Sequence, residues 1–307
     1  MAQQDLKFTV SAGKRVLMLL CTWVMCSIVF SLVYGLLTVS GITPVKLRIA
    51  MSLQDILTFV LPAAITAVVI SRRPAALLML LKRPGMINVI VVLLILIASM
   101  PLMAVIIEWN QNIEFPRQLA GLEQWMHSAE TSAAEALAMV TGNNSVGALV
   151  INVMLVGIMA AFSEELFFRG ALQRIFATSS LGRHAAVWFS AFIFSAAHLQ
   201  FFGFFPRLLL GVFFGYLALW SGSIWLAFAG HALNNTMAVT IMWIKDRSGG
   251  ACDIDAAATT MTNGNIGILI LSAAITALWV WVLWQRFNRR EKHGSAAQVL
   301  RKNDVSR

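Results

Sequence analysis

The sequence predicts an all-α, polytopic bundle of about eight transmembrane helices, and three observations lead to this fold class. Of the 307 residues, 59% are hydrophobic and only 12% are charged, whereas charged residues make up about 25% of an ordinary soluble domain. The mean hydropathy is +0.77, and the apolar residues occur in runs that are long enough to cross a bilayer. Soluble enzymes, disordered chains and nucleic-acid-binding domains are therefore excluded, despite a formal net charge of +9.

Eight apolar segments are long enough, or nearly so, to cross about 30 Å of hydrocarbon as helices. Helices are expected because they satisfy their own backbone polar groups in lipid. We expect the first segment to be an uncleaved span, and the fifth and sixth are short. The predicted spans are 16–39, 54–71, 87–107, 146–168, 185–199, 208–220, 224–244 and 264–285.

The distribution of Lys and Arg predicts the orientation. With the N-terminus inside, the inner segments contain 17 of the 23 basic residues and the outer segments contain 6. This asymmetry places both termini in the cytosol by the positive-inside rule. The inner segments are 1–15, 72–86, 169–184, 221–223 and 286–307, and the outer segments are 40–53, 108–145, 200–207 and 245–263.

Two connecting segments have a recognisable composition. Residues 75–81, between basic flanks, predict a short interfacial helix on the inner leaflet. The acidic outer segment 108–145 is expected to lie on the surface, as an inert cap on the helix ends rather than as a binding site.

Three acidic residues fall within predicted spans. Asp55 is placed in the first helical turn of its span, which favours a helix-start charge. Glu164 and Glu165 lie far from any predicted helix start. Because a carboxylate inside the membrane is costly, a functional role is the default hypothesis for them.

Two histidines and an asparagine also lie inside apolar runs. A single histidine in a membrane helix can equally serve a structural hydrogen bond. A rise of about 1.5 Å per residue places Glu164 and His198 about 21 Å from the inner ends of their helices. His231 and Asn235 lie about 12 Å and about 18 Å from the inner end of theirs. We therefore expect these polar side chains to converge on one layer.

Helical spacing predicts which side chains pair. Glu165 and Arg169 are four residues apart and are expected to form a structural ion pair. Glu164 points about 100° away and has no partner on its own helix. His231 and Asn235 share one helical face. A carboxylate base, an imidazole and neutral donors for an oxyanion are the groups that amide hydrolysis requires.

Three ordered motifs resemble those of the CAAX prenyl protease and bacteriocin-processing (CPBP, or Abi) family of intramembrane proteases. They are Glu164-Glu165-x-x-x-Arg169, Phe194-x-x-x-His198 and His231-x-x-x-Asn235, within about residues 145–245. The resemblance implies an all-helical core with a cavity inside the membrane. It implies that Glu164 activates water, that His198 and His231 are the imidazoles beside it, and that Asn235 is the oxyanion donor. Glu165, Arg169 and Phe194 are implied as supporting residues.

The predicted function is that of an intramembrane endopeptidase cleaving near the C-terminus of a membrane-associated or lipid-anchored peptide or protein. A non-catalytic peptide-binding immunity or resistance protein is the alternative. A proton-coupled transporter would also use buried Glu and His, but the inverted repeats and broken helices typical of transporters are absent from the sequence. We expect no nucleic-acid partner.

No obligatory cofactor is predicted. If zinc is present, Glu164, His198 and His231 are its expected ligands, and the base would then have to be Glu165, which is expected to face Arg169. The sequence contains no H-E-x-x-H helix that would offer another ligand set.

The predicted organisation has three regions in an integral membrane protein of a bacterial cytoplasmic membrane. Region 1–144 is an N-terminal three-span part with interfacial helices, 145–245 is the catalytic core with four spans, and 246–307 comprises an outer loop, the last span and a basic cytosolic tail. Within the core, Gly211 and Gly215 form a small-xxx-small face that predicts close helix packing.

Overall fold

The computed structural model describes residues 10–142, 145–249 and 265–305, and for residues 290–305 it describes only the backbone. The described residues form helices, turns and short connections, without a β-sheet. The predicted all-α bundle is confirmed. Most of the predicted outer loop at 245–263 lies outside the described residues.

Ten helices follow one another along the described chain. They are α1 (Ala12–Thr38), α2 (Pro44–Ile70), α3 (Pro74–Leu77), α4 (Met86–Gln111), α5 (Ala120–Thr141), α6 (Val146–Ala177), α7 (Arg183–Ala197), α8 (Phe204–Ser221), α9 (Ile224–Arg247) and α10 (Ile266–Val305).

Six helical segments are long and apolar enough to cross a membrane. They are Ala12–Thr38, Pro44–Ile70, Met86–Gln111, Val146–Ala177, Phe201–Ser221 and Ile266–Arg289. These correspond to six of the eight predicted spans. The other two correspond to α7, which has only 15 residues, and to α9, which is not among the six. The total of eight spans and the cytosolic termini stay predictions.

Helix α6 lies at the centre of the bundle and carries the conspicuous acidic pair. Every residue of Leu166–Gln173 is buried, with α2, α7, α8 and α9 packed around it. This stretch and Val153–Met159 are π-helical, as is Asp55–Val60 in α2. Single π turns within α-helices often occur at functional sites.

A tight helical hairpin positions His231. Gly222, with φ of 63°, ends α8 in the left-handed conformation that favours glycine. Ser223 then begins α9 by accepting a hydrogen bond from the backbone N–H of Trp225. The hairpin is fixed to the chain before α4, because the Ser223 hydroxyl donates to the carbonyl oxygen of Lys82.

The prediction of an interfacial helix at 75–81 is wrong. Helix α3 has only four residues, and the side chains of Leu77, Leu78 and Met79 are buried. The backbone of Leu78 lies so close to α6 that a Cβ added at Gly170 would be 3.2 Å from its carbonyl oxygen. The apolar residues of this segment therefore enter the protein core instead of lying on lipid.

Candidate active site

A cavity of about 730 Å³ lies between α2, α4, α5, α6, α7, α8 and α9. We call it the polar cavity. Five of the seven predicted site residues line it: Glu164, Phe194, His198, His231 and Asn235. The remaining two, Glu165 and Arg169, are fully buried behind its wall. The structure thus brings together the residues that the sequence placed in one layer.

Glu165 holds two partners at once. Its Oε1 atom accepts a hydrogen bond from Nη1 of Arg169 at 2.7 Å, so the predicted ion pair is present. The same Oε1 lies 2.8 Å from Nδ1 of His231. Glu165 therefore contacts Arg169 on its own helix and an imidazole that α9 brings to the same carboxylate.

Glu164 differs from Glu165 in what surrounds it. Its side chain is 13% exposed and lines the polar cavity, whereas that of Glu165 is 0% exposed. Oε2 of Glu164 lies 3.7 Å from Nε2 of His231, which is too long for a direct hydrogen bond. The carboxylate of Glu164 is thus available to a molecule in the cavity.

The hydrogen bonds of the two histidines orient their rings. Nδ1 of His198 lies 2.8 Å from the carbonyl oxygen of Phe194, and a carbonyl oxygen only accepts. Nδ1 of His231 likewise lies against the Glu165 carboxylate. In the neutral state, each ring therefore carries its proton on Nδ1 and presents Nε2 as an acceptor.

Aromatic rings enclose these polar groups. The Phe194 ring packs edge-on against both His198 and His231, and the guanidinium of Arg169 lies 4.7 Å from its centroid. Phe214 stacks on His231 at 5.0 Å. Phe194 thus contacts both histidines and Arg169. Phe214 was not singled out from the sequence, because aromatic residues are common throughout this chain.

Asn235 is held by a backbone contact. Its Nδ2 donates to the carbonyl oxygen of Val156 at 3.2 Å, across from α9 to α6. The neighbouring Asn234 also lines the polar cavity, and its Nδ2 donates to Oδ1 of Asn235 at 3.4 Å. An oxyanion contact from Asn235 would therefore use the second N–H of its amide.

Asp55 lies in the wall of the polar cavity, so its interpretation as a helix-start charge is wrong. Helix α2 begins at Pro44, where the side chain of Thr43 accepts a hydrogen bond from the backbone N–H of Lys46. Asp55 is 8% exposed, three turns further along, and interacts with Ser163 and with the charge of Glu164. The Thr43-Pro44 pair is a helix-start signal that could have revealed this.

Helix α5 is not an inert cap. Glu130, Ala133 and Leu137 line the polar cavity, and Oε2 of Glu130 accepts a hydrogen bond from the backbone N–H of Phe202. Beside it, a second cavity of about 550 Å³ is lined mainly by aromatic and aliphatic side chains from α4, α5 and the start of α8. Phe202 contributes to both cavities.

Glu164, His198 and His231 are the residues that would hold a zinc ion if one were bound. Within the described parts of the chain, no three His, Cys, Asp or Glu side chains are grouped closely enough to hold a metal. Nδ1 of His231 is directed to Glu165, and its Nε2 lies 3.7 Å from Oε2 of Glu164.

Residues 146–237 match the family model described as type II CAAX prenyl endopeptidase Rce1-like. The chain contains an Rce1-like domain. The resemblance drawn from the three motifs is confirmed, and Glu164, His198 and His231 all lie within the matched residues. No curated protein and no solved structure matches the chain.

The Rce1-like domain extends from the start of α6 to the middle of α9. Its family points to a CAAX endopeptidase, and the six apolar helices indicate an integral membrane protein. Three helices outside the matched residues also line the polar cavity. They are α2, α4 and α5, which contribute Asp55, Gln111 and Glu130 respectively.

Proposed function

We propose that this protein is an intramembrane endopeptidase in which Glu164 activates the attacking water. The observation that carries the proposal is the different position of the two adjacent carboxylates. Glu165 is fully buried and bound by Arg169 and His231, whereas Glu164 lines the polar cavity beside two imidazoles. Glu164 is thus the carboxylate that a substrate and a water molecule reach together.

In this proposal, the attacking water molecule donates hydrogen bonds to two acceptors in the cavity. Oε2 of Glu164 and Nε2 of His231 lie 3.7 Å apart, and a water molecule donates one hydrogen to each. Glu164 then takes one proton as general base, and the oxygen attacks the carbonyl carbon of the scissile bond. His198 presents its own Nε2 from the facing helix and orients the substrate or the water.

The tetrahedral intermediate then breaks down, and the proton taken by Glu164 passes to the leaving group. The second N–H of Asn235 donates a hydrogen bond to the oxyanion and stabilises its developing negative charge. The carbon–nitrogen bond breaks, and the leaving nitrogen takes the proton that Glu164 accepted. The products are a carboxylic acid and an amine, and Glu164 returns to its starting form.

The substrate is proposed to be a membrane-associated or lipid-anchored peptide or protein. The polar cavity lies within the helical bundle, so a substrate already held at a bilayer reaches it without leaving the membrane. The adjoining apolar cavity has the lining expected of a pocket for a hydrophobic chain. We propose a bacterial cytoplasmic membrane as its location and a three-region organisation of the chain, with residues 145–245 as the catalytic core.

The test compares two conservative substitutions in the purified protein. Glu164→Gln removes the base without changing the side-chain shape, whereas Glu114→Gln removes one carboxylate from an exposed position. We expect Glu164→Gln to abolish cleavage of membrane peptides with unchanged thermal stability, and Glu114→Gln to cleave normally. Full cleavage by Glu164→Gln would overturn the proposal, and peptide binding without cleavage by the wild type would favour the non-catalytic alternative.

Metal independence is part of the proposal and has its own test. Protein purified in a strong chelator is expected to retain full activity, and elemental analysis is expected to find no stoichiometric zinc. Reversible loss of cleavage on chelation, restored by added zinc, would reassign Glu164, His198 and His231 as ligands.

A further inference from the structure

The polar cavity extends from the middle of the helical bundle toward one of its two ends. Helices α4 and α7 contribute residues from their C-terminal ends, among them the exposed Gln111 and Ala197, whereas α8 contributes residues from Pro206 onward. We call this the mouth end of the bundle, and it also carries α5 and the connection 198–203. The opposite, closed end carries the connections 71–85, 178–182 and 222–223.

Hydrogen bonds show which helix ends lie together at the mouth end. Near the start of α2, Nη2 of Arg48 donates to the carbonyl oxygen of Val140, in the last turn of α5, at 2.8 Å. Near the end of α4, Nδ2 of Asn110 donates to the carbonyl oxygen of Phe201, and its Oδ1 accepts from the backbone N–H of Phe205. The starts of α2 and α8 therefore lie beside the ends of α4 and α5.

Polar contacts also join the chain segments at the closed end. Nη1 of Arg15 donates to Oγ1 of Thr178 at 3.0 Å and links the start of α1 to the connection after α6. Nζ of Lys82 donates to the carbonyl oxygen of Ser221, at the hairpin between α8 and α9. None of the described residues in the three connections at this end lines the polar cavity.

Buried apolar side chains separate the polar cavity from the closed end. They belong to one hydrophobic cluster, and each is at most 1% exposed: Ile70, Leu77, Ile175, Leu217 and Ile224. A protein interior packed in this way leaves no path for water. Within the described parts of the chain, water and a peptide therefore reach Glu164 from the mouth end.

The basic side chains are distributed unequally between the two ends. Among the described residues, six Lys and Arg side chains lie at the mouth end and ten lie at the closed end, the latter within 12–15, 72–83, 174–183 and 286–289. The end of a membrane protein that is richer in Lys and Arg faces the cytosol. The mouth end, with α5, is therefore expected to face the extracytoplasmic side.

We infer that the polar cavity opens to the extracytoplasmic side of the membrane, and that its substrate is a membrane-held peptide segment that has already been exported. This inference rests on the proposed endopeptidase function and names the class of its substrate. A translocation reaction must supply this substrate, because the scissile bond has to cross the bilayer before it meets Glu164. A peptide bond displayed only in the cytosol lies beyond the closed end and is not cleaved.

The first experiment measures from which side of the membrane the cavity is reached. Cys21, Cys26 and Cys252 are replaced, and one cysteine is introduced at Ala160, which lines the polar cavity about 21 Å along α6 from its start. An impermeant thiol reagent is added to right-side-out or inside-out membrane vesicles that contain the full chain. We expect Ala160→Cys to be labelled in right-side-out vesicles and to stay unlabelled in inside-out vesicles.

Gly85→Cys is the matched control for the closed end. Gly85 is exposed, and nothing lies within 4 Å of an added Cβ, so labelling is expected only in inside-out vesicles. Ala133→Cys, on α5, reports on the same cavity if Ala160→Cys fails to fold. If the folded cavity variant is labelled from the cytosolic side, from both sides or from neither side, the inference is overturned.

A cleavage assay in the same two kinds of vesicle separates this inference from the endopeptidase proposal. Lipid-anchored peptides of randomised sequence, each with a charged and membrane-impermeant fluorophore, are added to vesicles that contain the wild type or, as a blank, Glu164→Gln. Cleavage is expected in right-side-out vesicles and is expected to be lost in inside-out vesicles.

The outcomes of the cleavage assay distinguish the two proposals. Cleavage that is equal or faster in inside-out vesicles would overturn the extracytoplasmic opening and would leave the endopeptidase proposal intact. If the wild type cleaves no peptide in either orientation or in detergent, the endopeptidase proposal fails. The labelling of Ala160→Cys then still decides on which side the polar cavity opens.

Discussion

Nδ1 of His231 lies 2.8 Å from Oε1 of Glu165, the same oxygen that accepts a hydrogen bond from Arg169. A carboxylate behind an imidazole holds the ring in one orientation and one tautomer. Here the ring is held with Nε2 toward Glu164 and the polar cavity. Glu165 is thus a positioning residue for His231 as well as the counterion of Arg169.

We expect Glu165→Gln to lower kcat roughly 100-fold or more with little change in KM, because an amide no longer fixes the tautomer of His231. Peptide cleavage kinetics on the purified variant provide the measurement. The exposed Glu114→Gln is the matched control. A variant with wild-type kcat would show that Glu165 serves only the ion pair with Arg169.

Arg169→Met is expected to destabilise the fold by about 3–5 kcal/mol, because it leaves the buried Glu165 carboxylate without its strongest partner. The measurement is the folded yield and thermal denaturation in detergent, with the exposed Arg117→Met as control. The double variant Glu165→Leu/Arg169→Met is expected to regain much of the stability but none of the activity. Wild-type stability of the single variant would argue against the ion pair as a structural element.

Gly215 on α8 is expected to tolerate no side chain. An added Cβ would lie 2.8 Å from Cγ1 of Val187 and 2.9 Å from Oε1 of Gln173, so Gly215→Ala should destabilise the protein by about 1–3 kcal/mol. Gly35→Ala in α1 is the control, because nothing lies within 4 Å of its Cβ, and it should stabilise by about 0.5–1 kcal/mol. Equal effects in thermal denaturation would refute the close packing of α8.

The predicted orientation is testable with single cysteines. Gly85 and Gln124 are exposed and lie in the predicted inner and outer segments, and Cys21, Cys26 and Cys252 are first replaced. An impermeant thiol reagent added to intact cells is expected to label position 124 and to leave position 85 unlabelled. Labelling at position 85 without labelling at position 124 would show that the orientation is the reverse of the predicted one.

Local spacing allowed the sequence to predict contacts within one helix. Glu165 and Arg169 pair as their four-residue separation indicates, and the small face of Gly211 and Gly215 packs closely against α7 as expected. The approach of His231 to Glu165 joins α9 to α6. No periodicity within either helix specifies that approach, because it depends on how the two helices cross.

The sequence predictions that failed depended on where helices begin and on which apolar segments are buried. The start of α2 at Pro44, ten residues before the predicted span, moves Asp55 from a helix end into the cavity wall. Residues 75–81 have the composition of an interfacial segment, yet the side chains of Leu77, Leu78 and Met79 are buried. Average hydropathy does not distinguish an apolar segment that faces lipid from one that enters the protein core.

The π-helical stretch Val153–Met159, just before the acidic pair, has a consequence for changes in chain length. A π turn contains one residue more than an α turn. Removing one residue from it would give an α turn, and the side chains of the helical segments on either side would keep their directions. Deleting Met154, which is 53% exposed, would shorten that turn and leave the orientation of Glu164 toward α9 intact. The same deletion at Leu94, in the regular helix α4, would rotate the following half by about 100° and bring lipid-facing residues into the core. The helix that bears the proposed base can thus lose a residue at this turn without losing the site.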